Sequence, residues 1–261
     1  MAGNPEGAPC WVVAMLPDLA AGRRFYGELL GWTFSDPDPD RHGHTVALDD
    51  GRSVAGLLAK PDGRMPTEWI MHLAAGDAAA TAERVRSAGG QVMMEPFALG
   101  SAGVTAVVAD PGGAVFQLWQ PGTHQGFEVK GKPGAYAWAE VFTRDAAAVD
   151  AFYSEVFGFG GKDLTDVLGE DYLMWTPRGE PVDEEHAVGG RCLINERYPA
   201  EMPAHFLTYF GVRDCDEAVR TAERLGGRTL LGPEDSPYGR YAVLVDNQGA
   251  SFAVLTTQDS P

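Results

Sequence analysis

The phrase FYGELLGW at residues 25–32 returns as FYSEVFGF at residues 152–159, an offset of 127 residues (152 − 25). An internal repeat constrains the fold before anything else does, because each copy must build the same unit. Ahead of the first copy stands CWVVAMLPD, and ahead of the second YAWAEVFTRD, both apolar and rich in strand formers. Each run ends in an aspartate, Asp18 or Asp145, suited to cap a following helix. Apolar residues then recur three and four apart: Phe25, Leu29 and Leu30 in one predicted helix, Phe152, Val156 and Phe157 in the other. Gly31 and Gly158 close these helices.

A second pair of segments repeats as well. Residues 69–120 (WIMHLAAGDAAATAERVRSAGGQVMMEPF…VVADPGGAVFQLWQ) parallel residues 205–255 (HFLTYFGVRDCDEAVRTAERLGGRTLLGPE…VLVDNQGASFAVL). Each predicts a strand, a helix ending in Gly-Gly, a strand, and a hairpin whose turn is DPGG at 110–113 or DNQG at 246–249. The chain therefore reads as four β-α-β-β-β modules of about fifty residues in the order A-B-A′-B′. That is an α+β fold of four modules paired into two domains. The segment PGTHQGFEVKGKPG at 121–134 breaks helix and strand alike, so the domains are expected at 1–125 and 133–261.

The totals narrow the function classes. With 261 residues, 44% of them apolar, the chain can bury a core without metal or disulfide support. A net charge of −17 argues against nucleic acid and anionic membrane surfaces, both of which it would repel. Cys10, Cys192 and Cys215 lack close spacing and read as free thiols of a reducing compartment. The N-terminus lacks the basic segment of a signal peptide and no apolar run reaches membrane-span length, so a cytoplasmic location is expected.

The phrases D…FY…LGW, AGGQV, LGGRT and D-P-x-G before FQLWQ resemble the vicinal oxygen chelate superfamily. That group includes glyoxalase I, bleomycin-resistance proteins and extradiol dioxygenases. GGQVMM and DPGGAVFQLWQ carry a closer similarity to its two-domain, glyoxalase-like actinobacterial subgroup, which includes a mycobacterial antigen and proteins labelled hydroxylases. The resemblance covers almost the whole chain and implies two glyoxalase-like domains, each with a sheet curled into a cup. In the metal enzymes of the family, histidines from first strands and glutamates from last strands hold a metal on the cup wall.

Carried over one position at a time, that ligand set is missing here. The first-strand histidine positions correspond to Trp11, Ile70, Trp138 and Leu207. The last-strand glutamate positions correspond to Gln117 and Ala253, and in modules A and A′ fall near Gly56 and Gly190. The resemblance thus implies a family cup without its metal, lined instead by aromatic and aliphatic groups, the usual make-up of a small-molecule site. No cofactor is expected.

Strand alternation selects the other candidates. With Trp138 inward, Glu140 and Phe142 are inward too; with Leu207 inward, His205 and Tyr209 join it. Glu140, His205 and Tyr209 are therefore expected to converge, with Glu140 and His205 as acid and base in any catalysis. A carboxylate walled by Trp138 and Phe142 would have a raised pKa. In the first half, Trp11, His72, Gln117 and Trp119 are the expected ligand contacts. The histidines of HGH at 42–44 follow DPDPD and read as a loop, as does PVDEEH at 181–186. The sequence thus predicts a metal-independent protein, monomeric or homodimeric, that binds an apolar or aromatic small molecule for sequestration or an auxiliary step in secondary metabolism. The alternative is a cofactor-free or metal-assisted lyase, isomerase or hydroxylase-type oxygenase.

Overall fold

A computed structural model describes residues 4–38 and 43–257. The modules follow the repeat. Module A comprises β1 (Pro9–Leu16), α1 (Leu19–Leu30), β2 (Thr33–Phe34), β3 (Thr45–Asp49) and β4 (Arg52–Ala59). Module B comprises β5 (Glu68–Ala74), α2 (Ala78–Ser87), β6 (Gln91–Ala98), β7 (Gly103–Ala109) and β8 (Val115–Pro121). Module A′ comprises β9 (Tyr136–Thr143), α3 (Ala146–Phe157), β10 (Gly160–Asp163), a short α4 (Thr165–Leu168), β11 (Tyr172–Thr176) and β12 (Gly189–Leu193). Module B′ comprises β13 (His205–Val212), α5 (Cys215–Arg224), β14 (Arg228–Ser236), β15 (Gly239–Val245) and β16 (Ser251–Thr256). The fold is α+β, with strands hydrogen-bonded into two eight-stranded sheets in the orders β2-β3-β4-β1-β5-β8-β7-β6 and β10-β11-β12-β9-β13-β16-β15-β14. No helix among the described residues is long and apolar enough to cross a membrane.

Local sequence explains the helix ends. The carboxylate of Asp18 accepts from the Ala21 N–H, that of Asp145 from Ala148, that of Asp77 from Ala79 and Ala80, and that of Asp214 from Glu217. Each satisfies amides that the first helical turn leaves without a partner. The C-caps Gly31 and Gly158 adopt left-handed backbone at φ 77° and 76°, a conformation other residues resist.

Contacts divide the chain into two compact units, and each unit draws one module from either half. One contains Met1–Cys10, Met71–Gly126 and Ala139–Phe206, and so modules B and A′; the other contains Trp11–Ile70, Phe127–Trp138 and Leu207–Pro261, and so modules A and B′. The repeated Phe-Tyr pair accounts for both cores. In the unit with A and B′, Tyr26 of α1 donates to Asp246 Oδ2 of the DNQG turn at 2.9 Å and accepts from Trp69 Nε1 at 2.9 Å. Phe25 packs edge-on to Phe252, and Trp32 and Trp69 pack on Phe210. In the unit with B and A′, Tyr153 of α3 donates to Asp110 Oδ2 of the DPGG turn at 3.2 Å, and Phe116 packs against Phe152, Phe157 and Phe206. The other oxygen of each aspartate holds its own turn: Asp246 Oδ1 accepts from the amides of Gln248, Gly249 and Ala250, and Asp110 Oδ1 from Ala114. Burial and the facing carboxylate keep both phenols protonated, with pKa values well above the ordinary one.

The Gly- and Pro-rich segment after β8 is held in place by side chains. Phe127 lies between Trp11 and Tyr136, at 5.5 and 4.7 Å between ring centroids, and Trp32 Nε1 donates to the Gly134 carbonyl at 2.6 Å.

Tyr153→Phe removes one hydrogen bond to a buried carboxylate and should cost about 1.5–3 kcal/mol. Tyr26→Phe also strands the Trp69 N–H, so it should cost about 1 kcal/mol more. Urea denaturation of the two variants checks the order, and an equal or reversed order would mean that Trp69 does not depend on Tyr26.

Candidate functional site

In module A′ the strands sort their side chains to two faces. Ala139, Val141 and Thr143 of β9 are buried. Their strand side is also that of Arg191, which β12 pairs with Val141 and which bonds Asp150 of α3 at 2.8 Å and Asp171 at 2.5 Å. Glu140 and Phe142 therefore point to the other face. Register places Gly190 beside Glu140 and Cys192 beside Phe142, and then Met174 beside Gly190 and Tyr172 beside Cys192. Partnered positions share a face, so Glu140, Phe142, Cys192, Tyr172 and Met174 form one surface. The Tyr172 ring lies across Gly190: a Cβ there would overlap the Tyr172 hydroxyl and sit 2.6 Å from Cε1.

Two loop residues extend this surface. Tyr198 Oη donates to Glu170 Oε2 at 3.0 Å, and the Cys192 thiol reaches the same oxygen at 3.4 Å. Tyr198 packs edge-on to Phe142, and the His205 ring stacks on Phe142 at 5.1 Å and 10°. Burial, then the charge of Glu140, pushes the Cys192 thiol well above its ordinary pKa. Burial, then Cys192 and Glu170, raises the Tyr198 phenol. Both stay protonated at neutral pH, so Cys192 is no nucleophile here. Burial lowers the His205 pKa, with the Pro203 carbonyl at 2.9 Å from Nδ1 opposing it. That carbonyl can only accept, so the neutral ring carries its proton on Nδ1 and presents Nε2 as an acceptor.

The same unit brings three first-half candidates together. Register sets His72 beside Gln117 and Ala74 beside Trp119. His72 and Trp119 meet edge to face at 6.2 Å. Thr105 Oγ1 donates to Gln117 Oε1 at 3.0 Å, and Trp119 Nε1 to the His124 carbonyl at 3.1 Å. His72 is 5% exposed.

The other unit holds Trp11, Trp138 and Tyr209. Tyr209 is buried beside Ala253 in register, and Trp138 is half-buried on β9. Glu140 and His205 thus belong to one unit and Tyr209 to the other. Val13 of β1 pairs with Gly56, where a Cβ would lie 2.8 Å from His44 Nε2 and 3.3 Å from Trp11 Nε1. Gly43 lies in a turn and His44 precedes β3, in keeping with the loop reading of HGH. His42 lies outside the described residues, but His44 bridges Asp38 directly before β3 and its ring reaches the sheet face. His44, Glu170, Cys192 and Tyr198 were all missed. His44 was set aside with its loop, and Cys192 had a signal, lying two residues beyond Gly190 and so on its face.

The glyoxalase/bleomycin resistance protein/dioxygenase superfamily model matches residues 11–118 and again 135–254. The chain belongs to this superfamily. It is 35% identical over 269 residues to the anthracycline biosynthesis protein DauV of Streptomyces sp. (strain C5), covering 97% of this chain and 94% of the relative. It is also 35% identical over 256 residues to the putative glyoxylase CFP32 of Mycobacterium tuberculosis (strain CDC 1551 / Oshkosh), covering 96% of this chain and 95% of the relative. Among solved structures, the 2,3-dioxygenase LapB from Pseudomonas sp. KL28 superposes with a TM-score of 0.66 at 15% identity, covering 99% of this chain and 95% of that one. The Mn(II)-bound glyoxalase from Novosphingobium aromaticivorans superposes with a TM-score of 0.63 at 18% identity, covering 98% and 84%. These two likenesses establish the fold.

A divalent metal does not fit the residues that stand at the family's ligand positions. Indoles, aliphatic side chains, glycines and one carboxamide offer no anionic or imidazole donor. Gln117 is already engaged by Thr105, and the space at Gly190 is taken by a phenol. Among the described residues no group of three or more His, Cys, Asp or Glu side chains could hold a metal ion.

The lowered His205 pKa gives a pH test. A histidine held neutral contributes stability that is complete above its ordinary pKa of about 6.5 and is lost as pH falls below it. The stability of the wild type relative to His205→Phe should therefore fall as pH is lowered below about 6.5. Urea denaturation at a series of pH values checks this, and a constant difference would mean that the ring is hydrated.

Proposed function

We propose that this chain is a metal-independent member of its superfamily that binds an apolar or aromatic small molecule. It would serve either to sequester that molecule or to assist a step in secondary metabolism. What carries this reading is that Trp11, Ile70, Trp138, Leu207 and glycines stand where the resemblance implies metal ligands. Aromatic and aliphatic lining with a few placed polar groups is the make-up of a site for a flat apolar ligand. The likeness to anthracycline biosynthesis proteins over 97% of the chain favours a planar, oxygen-bearing polycycle.

Elemental analysis of the purified chain, after exposure to nickel, iron, zinc or manganese and dialysis, should find well under one metal per chain. Titration with 1,4-dihydroxyanthraquinone, the chromophore core of an anthracycline, should quench tryptophan emission saturably and without response to EDTA. One retained metal per chain, or binding abolished by EDTA, would sink the metal-independent reading.

The neutral His205 and its stacking on Phe142, next to Glu140 on β9, favour a second reading as a cofactor-free enzyme. There Nε2 of His205 would accept a proton and Glu140 would donate or hold one. Glu140→Gln separates the readings. An enzyme should lose at least about a hundredfold in turnover, whereas a binding protein should keep its affinity for the anthraquinone within a few fold.

A further inference from the structure

We propose that Tyr172 and His44 are the polar ligand contacts of the two sheet faces, each reaching over a glycine of the neighbouring strand. The inference rests on the small-molecule reading and names the groups that would recognise the ligand's oxygens. Both residues occupy the same place in the repeat. Met174 pairs with Gly190 and Val46 with Gly56 across antiparallel strands, and Tyr172 and His44 each stand two residues earlier. By alternation they share the face of those glycines.

Both side chains lean over the glycine of the neighbouring strand. The phenol of Tyr172 fills the space of a Cβ at Gly190, and Nε2 of His44 comes within 2.8 Å of a Cβ at Gly56. Glycine inside a strand weakens it and commonly marks a close approach by another group. Here the approaching group is polar both times, though one is a phenol and the other an imidazole. A residue that reached outward from either glycine would displace the polar group, which explains why a glutamate is incompatible with this arrangement.

The surroundings define the chemistry. Gly190 lies beside Glu140, while Gly56 lies beside Val13 with Trp11 Nε1 at 3.3 Å from its Cβ position. A phenol or imidazole at a strand surface can donate to or accept from a keto or phenolic oxygen. Phe142 and Met174 on one face and Val13 and Trp11 on the other set apolar surface beside these groups, where a hydrogen bond discriminates against a ligand that lacks the oxygen. The ligand class is therefore a neutral, planar aromatic bearing carbonyl or hydroxyl oxygens.

Two probes test this: 1,4-dihydroxyanthraquinone, followed by tryptophan quenching, and anthracene, which has the same ring skeleton without oxygens, followed by its own fluorescence. Tyr172→Phe and His44→Phe, singly and together, should weaken the anthraquinone about tenfold at the affected site and leave anthracene unchanged. Equal weakening of both probes, or of neither, would assign these side chains to packing and overturn the inference. An effect at one position alone would keep that contact and remove the other. Should the wild type bind neither probe, the small-molecule reading itself fails and the inference falls with it. Gly190→Ala supplies a check without ligand: it should lower the melting temperature by several degrees because the phenol must leave, and an unchanged melting temperature also counts against the arrangement.

Discussion

The hydrogen bond from a helix tyrosine to a hairpin aspartate holds each unit of this protein together. Tyr26 reaches Asp246 and Tyr153 reaches Asp110, each from the middle of a helix to the turn of a module in the other half of the chain. A buried carboxylate is costly unless its lone pairs are filled. One oxygen is filled by turn amides and the other by the phenol, so turn and helix must form together. Phenylalanines then pack around the polar pair, Phe25 and Phe252 in one unit, Phe116 and Phe152 in the other. The pairing A with B′ and B with A′ explains why the scaffold is duplicated within one chain. A half-length chain would find these partners only in a second copy of itself.

Once the helices cover one side of the strands, alternation decides the chemistry of the other. Arg191 follows Gly190 in sequence and so points the opposite way, toward Asp150 and Asp171. β12 therefore adds no cation to the face that carries Glu140, and the polar groups there are a carboxylate, a thiol and phenols. Burial together with neighbouring carboxylates raises the thiol and phenol pKa values, so Cys192 and Tyr198 act as neutral hydrogen-bonding groups. His205 is held neutral by burial at the start of β13. The face is thus rich in hydrogen-bonding groups.

The repeat made the module order, the capping aspartates and the closing glycines legible, because these depend on neighbours within a few residues. Which modules pack together was not legible. Tyr26 and Asp246 are 220 positions apart, and no local pattern encodes that separation. The register of β5 on β8 sets His72 beside Gln117, whereas alternation put Glu140 on the face of Phe142. It could not place Glu170 or Tyr198, which reach the surface from irregular segments without periodicity. His44 was hidden for a different reason. The resemblance sets Gly56 and Gly190 near ligand positions, yet the groups that fill their space come from the neighbouring strand.

The two halves also show how a duplicated scaffold separates stability from chemistry. Tyrosine and aspartate of the helix-to-hairpin lock are the same in both units. On the opposite faces the leading tryptophans, Trp11 and Trp138, and the glycines, Gly56 and Gly190, agree, while Val13 corresponds to Glu140, Met15 to Phe142 and His44 to Tyr172. Side chains on opposite faces of a strand share a backbone but few contacts, so exchanging Val for Glu on one side leaves Val12 or Val141 undisturbed on the other. Such a face can change charge and hydrogen-bonding character at little cost to the fold. Glycine at 56 and 190 widens that freedom, because a strand without a side chain at that point leaves room for whatever the adjacent strand presents. A family scaffold that elsewhere holds metal with residues from its own strand ends can in this way offer a phenol on one face and an imidazole on the other.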